Sequence, residues 1–339
     1  KKNQDCRWIQ VVHSVHEEVG MYKNISEGQQ LQQTEVELCK MADEVVAIGP
    51  KVAEAYKRFL CSGREEETIL DLTPGVFSEF LNVVQATDER RTFSVLVIGS
   101  GDSCEDFNVK GFNMAAEAIA ELKDASYQLK FLYSPREDGK EIADKLLQHG
   151  ISHNQLIVRS FNSNREVLGN LFCEVDLAIM PSRTEGFGLC GIEALSAGLP
   201  VLISGNSGLG GALKKVLFGS HYVVDSEDPK DWAKKIRDVR QKCRKDRLSE
   251  AELLREHYAK AYDWEKPCTV LVKKMQTLAF GKHSFLFKLF SAFTIKQELI
   301  LVLLLQCTFA TCNSMFLSFT RQLMFSNNYS TDSLLVTYM

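Results

Sequence analysis

The 339-residue sequence has ten cysteines but no two of them at C-x-x-C spacing, and neither sign of charge dominates. The missing spacing argues against a zinc site and indicates no disulfide framework, so we expect reduced thiols in a cytoplasmic protein. A net charge of −4 without a basic stripe argues against nucleic acid as the main partner. The first residues also lack the apolar core and cleavage site of a signal peptide.

The fingerprints of two common nucleotide-binding loops are absent as well. The loop at Gly99–Asp102 follows an apolar run, but a dinucleotide fingerprint needs a glycine at position 104, which is a cysteine. No Gly-Lys-Ser/Thr follows, so the loop is not a P-loop. These absences argue against an NAD-dependent enzyme. No Asp-x-Asp motif occurs, so no metal cofactor is predicted.

Short apolar runs alternate with amphipathic helical patterns between residues 92 and 275. Apolar strands without polar alternation, separated by helices, are typical of a parallel sheet covered on both faces. The sequence therefore predicts an α/β fold with one complete, doubly wound, Rossmann-like domain. Its predicted strands are Ser94–Ile98, Leu129–Tyr133, Gln155–Val158, Leu177–Met180 and Pro200–Ile203.

The N-terminal part shows the same rhythm over a shorter length. An apolar run at 8–12 and another at 44–48 predict strands, and the patterns from Thr34 and from Val52 predict helices. We expect residues 1–80 to form a partial Rossmann-like lobe and residues 81–280 the complete one. Residues 281–339 break the pattern and are expected to be a hydrophobic tail.

The loop after the fourth predicted strand of the complete domain carries the clearest chemical signal. Gly186 and Gly188 allow backbone N–H groups to approach a ligand closely. The helix that begins near Leu189 adds partial positive charge, which suits a diphosphate. Glu193 lies early on that helix, where a carboxylate can accept hydrogen bonds from two sugar hydroxyls. Taken singly, Glu185 is an exposed loop charge and Glu193 a solvated helix residue; the combined pattern favours a nucleotide-sugar site.

A lysine precedes another predicted helix. Lys110 and Gly111 stand just before a helical pattern, where the lysine charge and the helix dipole can act together on a phosphate. A lone lysine is more often simply solvated. The loop therefore adds to the glycine-rich loop rather than identifying a site by itself.

The string from Glu185 to Glu193, E-G-F-G-L-C-G-I-E, resembles the E-x7-E signature of retaining glycosyltransferases of family 4, the "glycosyl transferases group 1" domain. The preceding V-D-L-A-I-M-P-S at 175–182 is similar to a strand of that family. The resemblance covers about residues 92–275, and residues 8–80 more loosely. It implies a GT-B type fold whose first lobe is truncated here.

The resemblance also implies roles for individual residues. Glu193 would bind the ribose of a nucleotide diphosphate sugar, and Lys110 its diphosphate. The residues that would face the transferred sugar and the diphosphate are Glu185, Gly186, Phe187, Gly188 and Leu189. The loop at Arg159–Phe161, with Ser160, would lie near the nucleobase, and His13 next to the transferred sugar. For His13 alone, a structural role at a strand end is equally compatible with the sequence.

The implied reaction is retaining transfer of a sugar from this donor to an unidentified acceptor, without a strong protein base or a cofactor. Two departures favour an alternative, a degenerate binding or regulatory module. Ser100 stands where the family has a diphosphate-binding arginine, a contact worth about 2–4 kcal/mol to a developing charge. Arg159, Arg165 or Arg183 are candidates to compensate for it. The second departure is the short first lobe.

The tail contains a long uncharged run. Residues 299–320 hold no Asp, Glu, Lys or Arg, which is long enough for a membrane helix, although several polar residues dilute its middle. One expectation is a membrane contact through this run, with the rest of the chain cytoplasmic. The alternative is a read-through extension after the last predicted helix, 268–278.

Overall fold

The computed structural model describes residues 6–61, 69–99, 106–133, 138–160, 164–280 and 333–337. The chain divides into two compact units. The first contains the described residues of 1–20, 25–73 and 263–339, and the second those of 21–24 and 74–262. The predicted boundary at 80/81 thus lies close to an observed one at 73/74. The last helix differs from the prediction, because it groups with the first unit.

The first unit is built on a parallel sheet with the strand order β10-β1-β2-β3. The strands are β1 (Cys6–Val12), β2 (Glu44–Ala47), β3 (Ile69–Asp71) and β10 (Ser333–Thr337). The helices are α1 (His16–Gly20), α2 (Ile25–Met41), α3 (Pro50–Leu60) and α11 (Glu265–Phe280). Val12, Val45 and Ala47 of the sheet pack with α2 and α3 in one buried apolar cluster.

A buried polar group lies within this first unit. Glu35 on α2 is 1% exposed; it accepts a hydrogen bond from the Tyr56 hydroxyl of α3 and lies 3.0 Å from His16 Nε2. Burial, and then the Glu35 carboxylate, raise the pKa of Tyr56, so its hydroxyl stays a donor. The group links α1, α2 and α3, beside the strand end that carries His13.

The second unit is built on a six-stranded parallel sheet with the order β6-β5-β4-β7-β8-β9. Its strands are β4 (Phe93–Ile98), β5 (Tyr127–Tyr133), β6 (Leu156–Ser160), β7 (Leu177–Met180), β8 (Val201–Ser204) and β9 (Val223–Val224). Its helices are α4 (Phe112–Glu121), α5 (Gly139–Leu147), α6 (Arg165–Cys173), α7 (Leu189–Ser196), α8 (Gly208–Leu213), α9 (Pro229–Gln241) and α10 (Arg244–Ala261). The predicted α/β class and the doubly wound parallel sheet are confirmed.

The strand order places a reversal point between β4 and β7. The chain winds outward from β4 to β6, returns to the middle and winds outward again from β7 to β9. Open parallel sheets bind ligands at the carboxyl ends of the strands at such a point. The loops after β4 and β7 are therefore the place where this fold brings chemistry together.

Some short elements escaped the sequence prediction. Strands β3 and β9 and helices α1 and α8 have six residues or fewer, too short for a periodic pattern to identify them. Helices α2 and α10 begin earlier than predicted, at Ile25 and Arg244. Ser100 and the tail run 299–320 lie outside the described residues. Among the helices that are described, none has the length and apolar character of a membrane span.

A buried arginine–carboxylate pair fixes the start of β7. Asp176, 1% exposed, accepts hydrogen bonds from the Ser94 backbone N–H at 2.9 Å and from the Arg244 guanidinium, which is also 1% exposed. Arg247 Nη2 lies 3.8 Å from the same carboxylate. Two strands of the sheet and α10 therefore depend on one carboxylate that water does not reach.

We expect Asp176→Asn to lower the free energy of unfolding of the second unit by about 3–5 kcal/mol, because it leaves a buried guanidinium uncompensated. Asp225→Asn is the matched control. Its carboxylate, 62% exposed, pairs with Lys214 at 2.5 Å, and its loss should cost less than about 1 kcal/mol. The measurement is urea unfolding followed by the fluorescence of buried Trp232, with Trp8 and Trp264 replaced by Phe. Equal costs for the two variants would contradict the interpretation.

Candidate active site

The loops after β4 and β7 touch through their backbones. Gly111, just before α4, has a left-handed conformation with φ of 68°, and a Cβ atom there would lie 2.0 Å from the Pro181 carbonyl oxygen. The Arg183 N–H donates to the Val109 carbonyl at 2.8 Å. Position 111 therefore needs glycine both for its φ angle and for the close approach.

This approach brings together two residues that the sequence predicted for one site. Lys110 Nζ lies 2.7 Å from Glu185 Oε2, and each side chain is about one-fifth exposed, at 23% and 21%. Burial alone would lower the pKa of Lys110, but the Glu185 carboxylate and Asp106 outweigh it and hold that pKa above its ordinary value. The site therefore holds a permanent ammonium at the reversal point of the sheet.

The loop after β7 turns sharply into α7. Gly188 caps the helix with φ of 109°, where a Cβ atom would lie 2.4 Å from the Met180 side chain. The Leu209 N–H donates to the Phe187 carbonyl at 2.8 Å, which ties the loop to α8. The helix thus starts beside the Lys110–Glu185 pair, and its first N–H groups have no partner within the helix.

Glu193 is buried rather than solvated, which corrects the reading of that residue taken alone. Its side chain is 7% exposed, and Oε1 lies 2.5 Å from Arg165 Nη1. Burial raises the pKa of Glu193, and the Arg165 guanidinium opposes that rise. Cys190, one turn away, has its pKa raised to about 12 by burial and by the carboxylates of Glu193 and Glu185, so its thiol is not a nucleophile.

The other predicted site residues lie elsewhere. Ser160 is an exposed residue at the end of β6, which is separated from β4 by β5. His13 follows β1 in the first unit and is half-buried. Within the described ranges, no group of three or more His, Cys, Asp or Glu side chains is arranged to hold a metal ion.

The three arginines considered as replacements for the missing family arginine all pair with carboxylates. Arg159 Nη1 lies 3.0 Å from Glu174. Arg165 contacts Glu193, and Arg183 Nε lies 3.4 Å from Glu227. Arg183 also donates to Asn113 Oδ1 at 3.0 Å, so it braces the loop after β7 against α4.

Comparison with known proteins identifies the family. The sequence profile described as "Family 4 Glycosyltransferase in conflict systems" matches residues 1–271. The chain belongs to this family. The predicted resemblance to family 4 is therefore confirmed, and the residues at the reversal point are those of a glycosyltransferase.

Individual relatives cover less of the chain than the family profile does. D-inositol 3-phosphate glycosyltransferase of Geodermatophilus obscurus is 36% identical over 110 residues, which are 32% of this chain and 22% of that protein. Lipopolysaccharide glucosyltransferase WaaG of Escherichia coli is 26% identical over 176 residues, 48% of this chain and 41% of its own. The chain thus matches less than half the length of these curated relatives.

A solved structure shows the fold. Sucrose-phosphate synthase of Thermosynechococcus elongatus has a TM-score of 0.62 at 20% identity, over 80% of this chain and 68% of that one. At that identity the similarity establishes the fold alone. The fold is GT-B, as predicted.

Sequence reasoning missed the partners of the two glutamates. Nothing in the spacing of Arg165 and Glu193 announces their ion pair, because it joins the starts of two helices 28 residues apart. The signal that existed was the short run Phe77-Ser-Glu-Phe80, whose rings and carboxylate surround that arginine. The left-handed Gly111 is visible only when Pro181 is placed against it.

We expect Gly111→Ala to lower the melting temperature by at least about 5 °C, because the new Cβ meets a backbone carbonyl and the φ angle disfavours an L residue. Gly211→Ala is the control: a Cβ there meets nothing within 4 Å, and a helical alanine should leave stability unchanged or raise it slightly. Differential scanning calorimetry on both variants gives the comparison. A similar melting temperature for the two would show that the loops do not need this approach.

Proposed function

We propose that the chain binds a nucleotide diphosphate sugar at the carboxyl ends of β4 and β7 and transfers the sugar, with retention of configuration, to an acceptor. The observation that carries the proposal is the Lys110–Glu185 pair at the reversal point of the sheet. Membership of family 4 supports the same reaction. A solved GT-B neighbour, HepE of Anabaena, is described as a complex with UDP and glucose.

The diphosphate is assigned to Lys110 and to the glycine-rich loop. The ammonium is permanently charged, and the N–H groups from Gly186 to Leu189 lie at the start of α7, where the helix dipole favours an anion. On binding, the diphosphate replaces Glu185 as the partner of Lys110. The released Glu185 then faces the hydroxyl groups of the transferred sugar.

The ribose is assigned to Glu193. A buried carboxylate that is kept ionised by Arg165 can accept hydrogen bonds from two neighbouring hydroxyls. Ser160 and the loop that follows it are assigned to the nucleobase, on the strength of the family resemblance alone. His13 belongs to the first unit, and its role toward the transferred sugar rests on the same resemblance.

In the transfer step, the bond between the sugar's anomeric carbon and the β-phosphate oxygen breaks while a bond from the acceptor oxygen forms on the same face. The departing phosphate oxygen takes the acceptor's proton, so no strong protein base is needed. Lys110 and the loop N–H groups stabilise the charge that develops on the diphosphate. This is an electrostatic and positioning role, in which the chain itself carries no group through a covalent bond.

The compartment and the acceptor are part of the proposal. The six described cysteines are all free thiols, which fits a cytoplasmic protein. No described residue identifies the acceptor or a membrane contact. The nucleotide diphosphate sugar is the partner that the site chemistry supports.

We expect Lys110→Met to weaken binding of the nucleoside diphosphate about 10–100-fold and to leave binding of the nucleoside unchanged, because the lost contact is to phosphate. The probes are UDP with uridine and GDP with guanosine, in calorimetric titrations. Lys242→Met is the control, since Lys242 pairs with Glu250 at 2.6 Å on the surface of the same unit.

Unchanged diphosphate affinity in Lys110→Met, or no binding of either diphosphate by the unmodified chain, would contradict the assignment. A second readout separates transfer from binding. Release of sugar from UDP-glucose or GDP-mannose, with the α configuration kept, supports retaining transfer. Tight binding without any release would favour the binding module instead.

A further inference from the structure

The guanidinium of Arg165 is held from several sides within the second unit. Asn164 caps α6, its side chain accepting from the Glu166 N–H at 2.8 Å, and so places Arg165 as the first helical residue. The guanidinium carbon lies 5.5 Å and 5.1 Å from the ring centroids of Phe77 and Phe80. Such stacking fixes the plane of the guanidinium.

Two carboxylates share this guanidinium. Nη1 lies 2.5 Å from Glu193 Oε1, and Nη2 lies 3.2 Å from Glu79 Oε1. Among the described residues, no hydrogen bond reaches the second oxygen of Glu193, Oε2. Arg165 therefore occupies one oxygen of the carboxylate and leaves the other as an acceptor.

The two carboxylates are not equivalent. Glu79 is 29% exposed, whereas Glu193 is 7% exposed and cannot rely on water to stabilise its charge. The charged and titratable groups around Glu193 are Arg165 on α6, Glu79 on the neighbouring 3-10 helix and Cys190 on its own helix. Of these, only Arg165 favours the ionised carboxylate.

We propose that Arg165 is a positioning residue that keeps Glu193 ionised and directs its second oxygen to the ribose, so that discrimination for the ribose hydroxyls depends on Arg165. This inference rests on the proposed function and names the residue on which its ribose contact depends. Arg165 itself does not need to touch the nucleotide.

The sign of the pH effect follows from the surroundings. Burial raises the pKa of Glu193 and Arg165 opposes that rise, so removal of the guanidinium raises the pKa further. Below the new pKa Glu193 carries a proton, and it can no longer accept from two hydroxyls. Ribose recognition in such a variant is therefore lost at low pH and returns as the pH rises.

The first measurement needs no nucleotide. The ¹³C signal of the Glu193 carboxyl, assigned by its loss in Glu193→Gln, is titrated in the unmodified chain, Arg165→Met, Arg165→Lys and Arg240→Met. Arg240→Met is matched: its guanidinium is 27% exposed, stacks 4.2 Å from the Tyr127 ring centroid and pairs with Asp124. We expect the Glu193 pKa to rise by at least about one unit in Arg165→Met only, with Arg165→Lys close to the unmodified chain.

The second measurement compares UDP and GDP with their 2′-deoxy forms between about pH 5.5 and about pH 8.5. We expect a ribose preference of about tenfold that varies little with pH in the unmodified chain and in Arg240→Met. Arg165→Met should lose it at the lower pH and regain it at the higher. An unshifted Glu193 pKa, or a pH-independent ribose preference in Arg165→Met, overturns the inference. A shifted pKa in a chain that binds no nucleotide overturns the proposed function but supports the control of Glu193 by Arg165.

Discussion

The candidate site depends on the close approach of two backbones at the reversal point of the second sheet. Because β4 and β7 are neighbours in space but not in sequence, the loops that follow them meet at one edge. Gly111 has no Cβ, so the segment before α4 lies directly against the Pro181 carbonyl. That contact sets Lys110 beside Glu185 and starts α4 and α7 next to each other. A side chain at position 111 would separate the groups on which the proposed chemistry depends.

Around this contact, each charge of the site has a partner of opposite sign. Lys110 pairs with Glu185, and Arg165 pairs with Glu193. The first pair is partly exposed and offers its cation to a diphosphate by exchange of one anion for another. The second pair is more deeply buried, so its carboxylate keeps its charge only with the arginine in place. The two glutamates of the signature therefore have different environments, which fits the different ligand groups proposed for them.

The sequence was sufficient for the parts of the fold that follow from periodicity and for residues that share one loop. Apolar runs such as Leu177–Met180 identify buried parallel strands, and the glycine-rich loop identifies its own neighbours, Glu185 and Glu193. Short elements such as β9 and α8 have too few residues to show a period. The partners of Glu193 and the grouping of helix Glu265–Phe280 with the first unit depend on contacts between distant segments, which no local pattern encodes.

The most direct test of the account is the ³¹P NMR spectrum of UDP and of GDP as the protein is added. If Lys110 exchanges Glu185 for a diphosphate, the β-phosphate resonance of at least one nucleotide will shift and broaden at substoichiometric protein. It will return to its free position when the matching unlabelled nucleotide sugar is added in excess. Spectra identical to those of the free nucleotides, at millimolar concentration and with folded protein, would contradict the central claim that this edge of the sheet is a diphosphate site.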